Sequence, residues 1–210
     1  SSSYWYNNKT KQSFDNAINS HFGEKRKSLY YDGSLGGLFG LYATMGNPSV
    51  QQTFTNINSS TRYSYGYYLG KMDAEKIISM LERGEDGSIE PIRVITHSMG
   101  GAYAKGFVKA LIDYLRIHPK GLNGLRISEY DFAPYQPDEQ RAVNGVSTFQ
   151  YSHFYDNVAD YLPIRGAQQM RTSSNPNRGH SIFDFWGYIW SLPEGQYVFQ
   201  DGQFIKEERK

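Results

Sequence analysis

The sequence predicts an α/β fold: a mostly parallel sheet flanked by helices and followed by a C-terminal β-hairpin. Three observations predict it. Short β-branched or aromatic runs alternate with longer segments of helical periodicity, the signature of strand–helix–strand crossovers. The stretch PIRVITHSMGGAYAKGFVKALIDY joins a buried strand to a helix through a tight turn at His97, Ser98 and Met99. Residues 197–206 form two short runs about Asp201 and Gly202, a two-residue hairpin turn. A chain of 210 residues is long enough for one well-buried core. A single domain is therefore expected, with its core over about 27–192 and the hairpin and tail over 193–210.

Residues 1–26 are polar and aromatic, with a short helix expected over 13–21. KSLYY (27–31) reads as a strand ending in the glycine-rich turn Asp32, Gly33, Ser34. Residues 35–46, LGGLFGLYATMG, are apolar but too rich in glycine for a core helix, and read as a flap or a buried loop. The polar, tyrosine-rich residues 47–68 read as an exposed loop leading into a helix over 69–83, where Met72, Ile77, Ile78 and Leu81 keep helical spacing and Gly84 caps the end. The central strand is placed at 92–95 and its helix at 100 to about 115. Residues 124–132 (GLRISEYDF) and 147–155 (STFQYSHFY) alternate as further strands, separated by a loop or short helix around 138–141. An aromatic helix is expected over 181–191, with Ile182, Phe185, Trp186 and Ile189 on its core face.

The chemistry concentrates at Ser98. A serine between a β-branched strand and a small-residue helix start is pushed out of the sheet by the turn. The backbone N–H groups that follow lie at a helix N-terminus, where partial positive charge can stabilise an oxyanion. Thr96 to Gly100 (THSMG) resembles the G-x-S-x-G nucleophile elbow of α/β-hydrolases, and HSMGGA resembles that of class 3 lipases. Thr96 departs from the pattern, standing where the first glycine belongs. Without this context, Ser98 would read as a helix cap in a glycine-rich turn.

The resemblance implies a Ser–Asp–His chain order and a serine esterase or lipase. DNVADYLP, which opens at Asp156, resembles the neighbourhood of the acidic triad member, so Asp156 is the expected acid; Asp160 and Asp131 remain alternatives. Among the five histidines, His180 is the expected base. It follows a polar loop (171–179) near the C-terminus, whereas His97 is adjacent to the nucleophile and suits support of the turn. His21, His118 and His153 fall before the sheet, at the far end of the elbow helix and in mid-strand. The backbone N–H of Met99 and that of Ser34 are the expected oxyanion donors, Ser34 with a plain glycine-rich turn as its alternative.

Composition narrows the partners. With 22 basic and 21 acidic residues the chain has no general attraction for nucleic acid. It has no cysteine, so disulfides and thiolate catalysis are excluded. The expected reaction needs no cofactor, and the metal-binding H-E-x-x-H pattern does not occur. No apolar run approaches the roughly 18 residues that span a bilayer, and Ser1 to Tyr4 do not open a signal peptide. The expected partner is an ester or lipid substrate, with transient contact at a membrane surface. THSMGGAYAKGFVKAL, DFAPYQP and GHSIFDF also resemble C-terminal domains of Rhs-type polymorphic toxins of bacteria. Together with the absent initiator methionine, they imply a secreted or delivered effector domain, released from or attached to a larger precursor. The rival expectation is a non-catalytic hydrolase-like binding module that uses the 18 tyrosines and 12 phenylalanines as a contact surface.

Overall fold

The computed structural model describes residues 7–24, 28–33, 59–156, 158–159, 162–175 and 178–208. Within them, four parallel strands lie in the order β1–β2–β3–β4: β1 (Ile92–His97), β2 (Ile127–Phe132), β3 (Ser147–Tyr151) and the two-residue β4 (Gln168–Gln169). A separate antiparallel pair, β5 (Tyr197–Gln200) and β6 (Gln203–Lys206), forms the C-terminal hairpin on the bounds its sequence suggests. The helices are α1 (Asn8–Phe22), α2 (Ser59–Ser79) and α3 (Gly100–Ile117), with 3-10 segments at Pro137–Glu139 and Ile182–Ser191. This parallel sheet flanked by helices is compatible with an α/β-hydrolase-like architecture.

Strand alternation decides what each face of the sheet meets. Tyr130 and Phe132 of β2, with Phe149 and Tyr151 of β3, point to one side and pack on Phe14 and Ile18 of α1 and on Phe185 and Ile189 of the 3-10 segment. Ile127 points to the other side, where Val108, Ile112 and Leu115 of α3 cover it. Along the same face lie Glu129 and Asp131, both fully buried. This is where the sheet face turns from apolar to ionic.

α2 packs outside α3, backbone against backbone. A Cβ at Gly66 would stand 2.0 Å from the Tyr103 carbonyl oxygen, and one at Gly106 would stand 1.9 Å from that of Tyr63. Only a hydrogen fits at either position. That explains why residues 59–68, which read as a loop, are instead the first half of a helix: Gly66 and Gly70, weak helix formers, are both buried on the face that meets α3, where tertiary contact outweighs propensity.

Other boundaries shift. α1 begins at Asn8, capped by Asn7, whose side-chain oxygen accepts from Lys9 N–H at 2.9 Å. The expected strand at 27–31 does not form over Ser28–Tyr31. Their side chains are engaged elsewhere: Tyr30 donates to Asp15 at 2.8 Å and Tyr31 to Asp73 at 2.8 Å, tying the segment to α1 and α2. The strand expected to run to 155 stops at Tyr151, and the one expected from 124 starts at Ile127. The flap expected at 35–46 lies outside the described residues.

Candidate functional site

Ser98 follows β1 and has φ of 56°. A left-handed serine costs about 1 kcal/mol, so the surroundings must hold it there. Its N–H donates to the Phe132 carbonyl at 3.0 Å, and its carbonyl accepts from Tyr135 N–H at 3.1 Å. The turn is thus fastened to the end of β2 while Oγ faces away. Met99 precedes α3 in helical conformation, so its N–H belongs to the N-terminal turn. Gly33 passes directly over this point: a Cβ there would stand 2.6 Å from Gly100 Cα. Ser34, the other expected oxyanion donor, lies outside the described residues.

The structure brings Ser98, His180 and Asp156 together. His180 Nε2 is 2.7 Å from Ser98 Oγ, and His180 Nδ1 is 2.9 Å from Asp156 Oδ2 and 3.1 Å from Oδ1. A carboxylate only accepts, so Nδ1 carries the imidazole proton and the Nε2 lone pair receives the serine hydroxyl. Asp156 sits beyond the end of β3, its side chain fully buried, and Oδ1 also accepts from Val158 N–H at 2.9 Å and Ala159 N–H at 3.1 Å. Burial pushes its carboxyl up, but the His180 hydrogen bond, the electrostatic attraction of that ring and those two N–H groups together hold it below the usual range.

The alternative acids are placed differently. Asp131 Oδ1 accepts from Thr96 Oγ1 at 2.6 Å and Oδ2 from Lys105 Nζ at 2.7 Å. Lys105 also donates to Glu129 Oε1 at 2.8 Å. Asp131 therefore points under α3, towards Thr96 and Lys105, while the His180 ring bonds Asp156. Asp160 lies outside the described residues.

The remaining histidines have structural partners. His97 Nε2 donates to the carbonyl of His180 at 2.6 Å, so it supports the loop of the base rather than the elbow turn alone. Burial pushes its imidazole down to about 4, partly offset by that hydrogen bond, so a neutral ring lies 5.0 Å from the His180 ring at neutral pH. His153 lies just past β3, stacked on Phe185 at 4.1 Å between ring centroids. His21 donates to the Leu192 carbonyl at 3.0 Å, and His118 caps α3. The loop before His180 is braced by Asp184: its carbonyl accepts from Arg178 at 2.6 Å, and its carboxylate from Gly179 N–H at 3.1 Å.

A cavity of about 800 Å³ opens at Ser98 and runs along β1, walled by Tyr30, Tyr31, Ile95, Tyr103, Phe107 and Leu111. It offers apolar room beside Ser98. Among the described residues no group of three or more metal-ligating side chains is present. The chain matches no model of a known protein family, no curated protein and no solved structure.

Sequence reasoning did not anticipate the ionic cluster of Lys105, Glu129 and Asp131. A signal was available: Glu129 and Asp131 are two apart in a strand, hence on one face, and Lys105 stands in the crossover helix that must cover that face.

Proposed function

We propose that this protein is a serine hydrolase of the α/β-hydrolase type that cleaves carboxylic esters, with lipids as the substrate class. The observation that carries this reading is the unbroken hydrogen-bonded chain from Ser98 Oγ through the His180 ring to a buried Asp156. In this reading His180 accepts the hydroxyl proton as Ser98 attacks the ester carbonyl, and Asp156 holds the tautomer and stabilises the imidazolium. The N–H of Met99 faces the developing oxyanion, and Gly33, which passes over the turn, is the candidate second donor. His180 then protonates the departing alcohol, and water attacks the acyl-enzyme with His180 again as base.

The apolar wall of the cavity supports an acyl substrate. Phe154, Tyr155, Val158 and Leu162 on the loop around Asp156, and Phe183 on the 3-10 segment after His180, are exposed, which supports contact with a lipid surface. The resemblance to Rhs-type toxin domains supports an effector role as part of a larger precursor. No helix of the described residues is long and apolar enough to cross a membrane.

A fluorophosphonate probe tests the reaction. Ser98 Oγ attacks phosphorus, fluoride leaves, and the hydroxyl proton passes to His180. Labelling of the folded protein that disappears in Ser98→Ala is the expected result. A folded protein that stays unlabelled would instead be a binding module with a hydrolase-like architecture.

A further inference from the structure

We infer that Thr96, Asp131 and Lys105 form a buried strut that positions the nucleophile elbow. The inference rests on the reading of Ser98 as the nucleophile and goes beyond it, because none of the three touches the reacting atoms.

The geometry is specific. One carboxyl takes a bond from each side of the elbow: Oδ1 from Thr96, just before Ser98, and Oδ2 from Lys105, on the second turn of α3. The segment between them carries Ser98, the Met99 N–H and the first turn of α3. Asp131 belongs to β2, whose end already receives the Ser98 N–H through Phe132. Strand, turn and helix are thereby referred to one point. The first turn of α3 lies directly on it, since a Cβ at Gly101 would stand 3.0 Å from Gln140 Oε1 and 3.5 Å from Asp131 Oδ1. A glycine at position 96 could make no such side-chain bond. The threonine that departs from the elbow pattern is the residue that joins the strut.

The charges are consistent with a permanent device. Lys105 and both carboxyls are buried, so a full complement of charges would leave one negative charge uncompensated. Burial first, and the charge of Asp131 next, push the Glu129 carboxyl up to about 8 against the opposing pull of Lys105, so Glu129 retains a proton at neutral pH. Facing it are Lys105 from α3, Asp131 from its own strand and the uncharged Thr148 from β3. Glu129 therefore adds little negative charge beside the Lys105–Asp131 pair. Apolar side chains could fill the same volume, but they would not set the direction of three short hydrogen bonds.

Thr96→Val keeps the shape and removes the bond. It is expected to slow fluorophosphonate labelling of Ser98 and lower kcat on a short-chain ester by roughly 10-fold to 100-fold with KM unchanged, while Thr96→Ser restores most of the rate. Asp131→Asn, whose amide oxygen can serve only one of the two donors, is expected to show the same selective loss of kcat and serves if Thr96→Val does not fold. Either variant, folded by circular dichroism yet labelled at the wild-type rate, would reduce the strut to a stability element and overturn the inference. Wild-type protein that never labels at Ser98 would instead sink the hydrolase reading, and this one with it.

Discussion

Two aspartates stand beyond or at the ends of adjacent parallel strands, and they have been given opposite company. Asp131, at the end of β2, is surrounded by Lys105, Glu129 and Thr96 and faces α3. Asp156, beyond β3, is surrounded by His180 and two backbone N–H groups and faces the mouth of the site. Both are buried acceptors of short hydrogen bonds. What separates them is the mobility of the proton on the donor. A lysine between two carboxyl groups keeps its proton, because burial, which lowers its affinity for it, is outweighed by Asp131 and Glu129. A histidine bonded to a serine hydroxyl on its far side presents a lone pair there. The first arrangement holds a shape, and the second is the one on which the proposed reaction rests.

Under the proposed function, the contrast is broken most severely at Ser98, His180 and Asp156. Ser98→Ala and His180→Ala are each expected to lower ester turnover on the order of 10⁶-fold. Asp156→Asn, which spoils the tautomer while keeping the shape, is expected to cost about 10⁴-fold. Asp131→Asn should cost far less turnover but more stability, about 3 kcal/mol in a urea titration, because it strips a partner from buried Lys105. Equal turnover losses in the two aspartate variants would erase the distinction.

His97 offers a finer cut. His97→Phe removes the donor to the His180 carbonyl and is expected to lower kcat about tenfold, whereas His97→Gln, able to donate again, should recover part of it. Steady-state kinetics on one ester substrate reads both.

The smallest effect is a difference of sign. Asp156 is held below its usual range, so its contribution to stability is present above about pH 4 and fades as pH falls through its lowered folded-state value. Glu129 is raised, so its contribution is complete below its ordinary value and is lost as pH rises towards about 8. Urea midpoints measured across that range should therefore fall less steeply on the alkaline side in Glu129→Gln, and less steeply on the acid side in Asp156→Asn. Parallel curves for both variants and the wild type would mean the two carboxyls do not differ as described.

How much of this could be read in the sequence depended on whether the cause was local. The elbow was legible because strand, turn and helix start are contiguous around Ser98, and β5–β6 because Asp201 and Gly202 encode their own turn. Asp156 was singled out by the resemblance of DNVADYLP to the acidic neighbourhood of class 3 lipases, and His180 by the chain order that resemblance implies together with its loop near the C-terminus. They lie within bonding distance of one another. Thr96 was legible only as a departure, since the carboxylate that takes its hydroxyl is 35 residues away on the next strand. The early start of α2 was hidden for a related reason: Tyr and Gly in SSTRYSYGYY argue against a helix until α3 is laid against them. The β-rich look of KSLYY misled because Tyr30 and Tyr31 spend their hydroxyls on helical carboxylates rather than sitting in a ladder.

The glycine contacts between α2 and α3 carry a consequence for how such a protein can diverge. Because Gly66 and Gly106 bring main chain against main chain, the close approach of α2 and α3 does not depend on the side chains that α2 turns outward. Tyr68 and Met72 stand well exposed on α2. That outer surface can be rewritten while Ser98 keeps its address.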